Sequence, residues 1–182
     1  DKLGEKELGM FSLVVITVGI FAGAANTLAI VFFGRLSRIF VDEPKAFSRR
    51  LHQTIALFIG LGILLLALYM LAIPISEIVF GISFDHDLYP LMAAAIPFMF
   101  VVSCLGTVFT VIRKQKVGMY LTAVVLLVNV LSYYYLTQMF GLIGAGYAYL
   151  ISAIFQSILI YLGMMLSLRK IPNDGNSNQI AE

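Results

Sequence analysis

Five stretches of this chain are long, apolar and almost free of charge, and they dictate the fold class. They run from Met10 to Phe33, from about Thr54 to Phe80, from Tyr89 to Ile112, from Val117 to Phe140 and from Ile143 to Leu168. Crossing the ~30 Å hydrocarbon core of a bilayer takes about 20 residues at a rise of about 1.5 Å each. In lipid, every backbone N–H and C=O needs a partner within the protein, so an open sheet is excluded. The runs are continuously apolar and lack the alternation of a barrel strand. The expected fold is all-α: a polytopic transmembrane bundle of five spanning helices over residues 1–170, followed by a polar tail, residues 171–182. Composition agrees. The chain is 60% hydrophobic and 12% charged, with mean hydropathy +0.96, whereas a soluble domain is roughly 45–50% apolar and about 25% charged.

The region from Arg113 to Ser152 shows the organisation most clearly, as a basic cluster, an apolar helix, a short turn and a second apolar helix. The turn, Phe140 to Ala145, holds Gly141 and Gly144 and no charge. It suits a tight hairpin between two spans, with both glycines shaping the turn.

Charge divides the connections into two sets. Gly34 to Gln53 is read as a loop with a short interfacial helix around its Asp-Glu-Pro turn. It holds five of the twelve basic residues, Arg35, Arg38, Lys45, Arg49 and Arg50. Arg113, Lys114 and Lys116 follow the third run, and Arg169 and Lys170 end the fifth. The eight-residue stretch Gly81 to Leu88 has no Lys or Arg and carries Asp85 and Asp87. By the positive-inside rule the basic set faces the cytoplasm. That puts the N-terminus outside and the C-terminus inside, with Lys2 and Lys6 on the outer side. Tyr133, Tyr134 and Tyr135 then lie toward the outer end of the fourth helix. The tail, with Pro172 stopping the last helix, has a composition that suits disorder. Asp1 is not an initiator methionine, so the chain is expected to be a fragment or a processed product.

Few residues within the spans can carry chemistry. Glu77 is the one ionisable side chain in a predicted span. Such acids suggest ion coupling, although Glu77 is also close enough to the acidic outer loop to snorkel or pair there. Asn26, Asn129, Gln138 and Gln156 are neutral and polar. They can hold helices together at about 0.6–2 kcal/mol each, or line a hydrated cavity and bond sugar hydroxyls. Asn26, Asn129 and Gln156 are the candidate cavity-lining, substrate-binding residues. Gly19 and Gly23 form a GxxxG pattern that suits close helix packing, and Pro74 and Pro97 are expected to kink or interrupt their helices. His52 and His86 are predicted on opposite sides of the membrane, and Cys104 is the single cysteine. No catalytic residue, metal site, cofactor or nucleic-acid partner is expected.

Four sequence features, in order, carry a family resemblance. They are Gly9-Met10-Phe11-Ser12 entering the first run, Gly34-Arg35-Leu36-Ser37-Arg38 leaving it, Pro74 to Gly81 (PISEIVFG) ending the second, and Asn129 with Phe140 to Ala148 (FGLIGAGYA). Over about residues 5 to 170 the chain resembles the second half of bacterial lipid-linked oligosaccharide flippases. These are the O-antigen and polysaccharide branch of a superfamily that also holds multidrug exporters and peptidoglycan-precursor flippases. The resemblance implies an alternating-access transporter of two six-helix lobes in the plasma (cell inner) membrane. It would move undecaprenyl-diphosphate-linked oligosaccharide units for surface polysaccharide synthesis, including lipopolysaccharide, and this chain would be most of the second lobe. Implied partners are the lipid-linked substrate, membrane lipids, the N-terminal lobe and polysaccharide polymerase or ligase machinery. The family's cavity is usually cationic, whereas no Arg or Lys lies within a predicted span here. Two other readings are a cation-coupled multidrug antiporter, which needs membrane acids beyond Glu77, and a glycan polymerase or ligase, which needs a larger outer loop than Gly81 to Leu88.

Overall fold

A computed structural model describes residues 5–80 and 87–169; within them, the side chains of residues 5–8, 10, 13, 44–45, 75–80 and 169 are left out. The described residues are helical: α1 (Glu5–Asp42), α2 (Pro44–Phe80), α3 (Leu88–Ala93), α4 (Ile96–Val111) and α5 (Gln115–Arg169). Four segments among them are long and apolar enough to cross a membrane: Val14–Asp42, Ala46–Pro74, Leu88–Val111 and Gln115–Leu168. The chain is a multi-pass membrane protein. The tail 171–182, the loop 81–86 with Asp85 and His86, and Lys2 lie outside the described residues.

The stretch from Gly34 to Gln53 is not a loop. α1 and α2 run 38 and 37 residues and meet at Glu43 alone, so the basic residues of this stretch ride on helix ends. Helices of that length reach well beyond a ~30 Å core. The helices persist because Leu36, Phe47 and Leu51 recur on an inward face and are almost fully buried. Pro44 has no N–H to lose at the first helical position. The Glu43 carbonyl accepts from the N–H groups of Ala46 and Phe47, at 2.9 and 3.1 Å. Phe40 and Phe47 close the corner edge to face, with centroids 5.0 Å apart.

The third expected helix, Tyr89 to Ile112, is divided at Ala94 and Ala95, leaving α3 and α4. Pro97 lacks an N–H for the preceding turn, so α4 restarts with proline in its first turn. α2, by contrast, continues past Pro74 to Phe80. α5 spans the expected fourth and fifth helices and is bent at Gly141, with φ 61° and ψ −135°. Its two limbs fold back on each other: the Leu121 side chain fills the space where a side chain on Gly163 would stand, and the Leu136 carbonyl that of Gly144.

α4 is the hub, packed against α1, α2 and α5. Phe58 of α2 and Phe100 of α4 are fully buried with centroids 6.3 Å apart, and Phe32 of α1 meets Phe58 edge to face at 5.6 Å. Higher along the pair, Phe21 meets Tyr69 at 5.6 Å. These antiparallel pairings gather the α1–α2 corner and the α4–α5 turn, with their basic residues, at one end of the bundle. The outer surfaces are apolar: Ile16, Ile20, Ile30 and Val31 of α1 are each about two-thirds exposed, as lipid-facing side chains are.

A neutral polar cavity between α1 and the α5 hairpin

α1 and α5 both lean on α4 and barely touch each other. The space between them is a cavity of about 510 Å³. Its floor is α4, through Met99, Val102, Ser103, Gly106 and Thr107. One wall is α1, through Ala22 and Asn26, and the other is the α5 hairpin. The first limb of α5 contributes Thr122, Asn129 and Tyr133; the second contributes Tyr149, Ser152, Ala153, Gln156 and Ile160. A smaller recess of about 170 Å³ shares Gly106, Thr122 and Ile160 and runs toward Gln115 at the basic α4–α5 turn.

Asn26, Asn129 and Gln156, chosen from the sequence, therefore come together on one cavity from three helical segments. Gln138 does not; it is exposed and absent from the lining. Glu77 lies in α2, but its side chain is outside the described residues. Gly141 lies at the bend, with φ 61°, and Gly144 stands against the Leu136 carbonyl. Gly19 and Gly23 face open space, since a β-carbon on either would meet nothing within 4 Å among the described residues. His52 Nδ1 donates to the Ser48 carbonyl at 2.7 Å, and its Nε2 lies 3.5 Å from the Tyr161 hydroxyl.

Two hydroxyls of the lining are satisfied by their own helix. Thr107 donates to the Cys104 carbonyl at 2.7 Å and Thr122 to the Gly118 carbonyl at 2.9 Å. Tyr149 donates to Met99 Sδ at 3.6 Å, tying the hairpin to the floor. Two lining atoms differ: Asn129 Oδ1 and Ser152 Oγ are buried with no hydrogen-bond partner among the described residues. Each such orphan costs about 1–3 kcal/mol.

A family model for the lipid II flippase MurJ matches residues 12–181. The chain belongs to that family. Its members are flippases, transporters rather than enzymes. The capsular polysaccharide biosynthesis protein CapF of Staphylococcus aureus is 25% identical over 163 residues, covering 87% of this chain and 41% of the relative. The chain thus spans less than half the length of that curated relative. No solved structure matches it.

In this flippase-family chain, sequence reasoning missed Ser152 and Tyr149, and read Tyr133 only as an aromatic toward the outer end of its helix. A signal existed. Tyr133 follows Asn129 by one turn, and Tyr149, Ser152 and Gln156 recur at helical spacing, so each pair shares a face with a residue already singled out.

Proposed function

We propose that this chain contributes five membrane crossings (α1, α2, α3 with α4, and the two limbs of α5) to a transporter of the plasma membrane. That transporter flips undecaprenyl-diphosphate-linked oligosaccharide units from the cytoplasmic to the outer face for surface polysaccharide synthesis. The bundle end carrying Arg35, Arg38, Arg49, Arg50, Arg113, Lys114 and Lys116 faces the cytoplasm, in keeping with the positive-inside rule. Asn26, Asn129 and Gln156 contact the saccharide as it passes. The observation that carries this reading is the cavity itself, a polar, uncharged space between apolar helices, which fits a hydroxyl-rich cargo in transit. Family membership and the likeness to a capsular polysaccharide protein support the same class of cargo.

Depleting the intact protein in its own cells tests the reading. The expected result is accumulation of lipid-linked saccharide on the cytoplasmic leaflet, with loss of surface polymer. If the lipid-linked units reach the outer leaflet at the normal rate, the proposal fails.

A further inference from the structure

We infer that this cavity takes uncharged sugars and discriminates against acidic ones, so that the diphosphate of the cargo is held elsewhere. The inference rests on the flippase reading and narrows it to a substrate class. Among the described residues, the lining contains amides, hydroxyls, tyrosines and small or apolar side chains, and no Lys, Arg, His, Asp or Glu. An anion entering such a space leaves water without gaining a counter-charge, which is expensive in a low-dielectric interior.

The polar atoms present are suited to hydroxyl and acetamido groups instead. Asn129 Oδ1 accepts only, so it needs a donor from the guest, and the Ser152 hydroxyl both donates and accepts. Ser152 is only 5% exposed, and its oxygen has no partner. Both atoms are covered as the structure stands; where the lining opens to admit a guest, a sugar hydroxyl, which donates and accepts at one oxygen, suits either of them, whereas a carboxylate offers Asn129 Oδ1 nothing but repulsion. Tyr133 and Tyr149 on opposite limbs add apolar ring surface for the C–H faces of a pyranose, the Tyr149 hydroxyl being held by Met99 Sδ. The basic groups Arg113, Lys114 and Lys116 lie at the bundle end toward which the smaller recess runs. From Thr122, shared by both spaces, Lys116 is six residues away along α5, about 9 Å at helical rise. This separates a neutral compartment for the sugar from the cationic end, and the diphosphate partitions toward the latter.

The test uses the full-length protein that contains this chain, in lipid nanodiscs. Three probes are compared: undecaprenyl diphosphate bearing a neutral disaccharide, the same lipid bearing a disaccharide with one hexuronate, and undecaprenyl diphosphate without sugar. The neutral probe is expected to bind at least about tenfold tighter than the hexuronate probe. Asn129→Ala and Ser152→Ala are each expected to remove most of that preference while leaving the sugar-free lipid unaffected. Gln156→Lys, at a partly exposed lining position, is expected to raise affinity for the hexuronate probe and so guards against a mere folding defect. Equal or tighter binding of the hexuronate probe by the unaltered protein overturns the inference and leaves the flippase reading intact. If neither sugar-bearing probe binds better than the sugar-free lipid, both are overturned.

Discussion

The α-carbon of Pro97 lies 2.7 Å from the point that a β-carbon on Gly62 would occupy. α2 and α4 therefore meet backbone to backbone, at the place where α4 restarts after its break. The two features depend on each other: Pro97 forces the restart, and only a residue without a side chain lets α2 come that near. Gly62→Ala is expected to push α2 off the hub and cost about 1–3 kcal/mol, the usual penalty for overpacking. Gly60, two residues earlier, has nothing within 4 Å of its β-position. Gly60→Ala is expected to be neutral or slightly stabilising, since alanine favours helix over glycine. Thermal unfolding of both variants in detergent, side by side, checks the pair.

The hairpin bend makes a graded prediction. Gly141 sits at φ 61°, ψ −135° in open space, so Gly141→Ala pays only backbone strain, about 1–3 kcal/mol. At Gly144 a β-carbon would enter the Leu136 carbonyl and stand 3.1 Å from Phe140 Cβ. The limbs must separate to admit it, so Gly144→Ala is expected to be the more damaging. Unfolding midpoints in that order support this account of the bend; a milder Gly144→Ala contradicts it.

The residues that proved legible in the sequence were those whose chemistry clashes with a membrane span. Asn26, Asn129 and Gln156 stood out because an amide in an apolar helix either joins helices or lines a hydrated space, although Gln138, of the same chemistry, is exposed and away from the lining. Ser152 did not, because a serine in such a helix usually bonds back to its own backbone, as Ser157 does to the Ile154 carbonyl at 2.9 Å and Ser167 to the Gly163 carbonyl at 2.7 Å. Only packing reveals that Ser152 is left without a partner. The stretch from Gly34 to Gln53 was misread for a different reason: its charges imitate a loop, while Leu36 on α1 and, one turn apart on α2, Phe47 and Leu51 are buried on the inward side of the corner. Pro97 marks the restart of α4 after its break from α3, whereas α2 runs on past Pro74.

No sequence rule pointed to the conformation of Arg113, which has φ 55°, the left-handed region usually reserved for glycine. It ends α4 in a Schellman arrangement, with Lys114 N–H donating to the Phe109 carbonyl at 2.9 Å and Arg113 N–H to the Thr110 carbonyl at 3.2 Å. A side chain in this conformation costs about 1–2 kcal/mol. Arg113→Gly is expected to hold or raise the melting temperature, and Arg113→Val, with its branched β-carbon, to lower it. A fall with glycine as large as that with valine would mean that the guanidinium, not the turn, determines stability here.

Cys104 provides a way to test both the hub and the proposed orientation. It is buried in α4 at 1% exposure, so the folded protein is expected to resist a membrane-impermeant maleimide although it has a free thiol. Against that silent background, single cysteines report each end of the bundle. Asp87→Cys, exposed at the start of α3, is expected to react in intact cells. Lys114→Cys, exposed in the α4–α5 turn, is expected to react only after the membrane is opened. The opposite pattern reverses the orientation, and labelling of both sites in intact cells removes the claim that the chain between them crosses the bilayer. Reaction at Cys104 itself without denaturant would show that α4 is not enclosed by α1, α2 and α5. The cavity described above would then lose its floor.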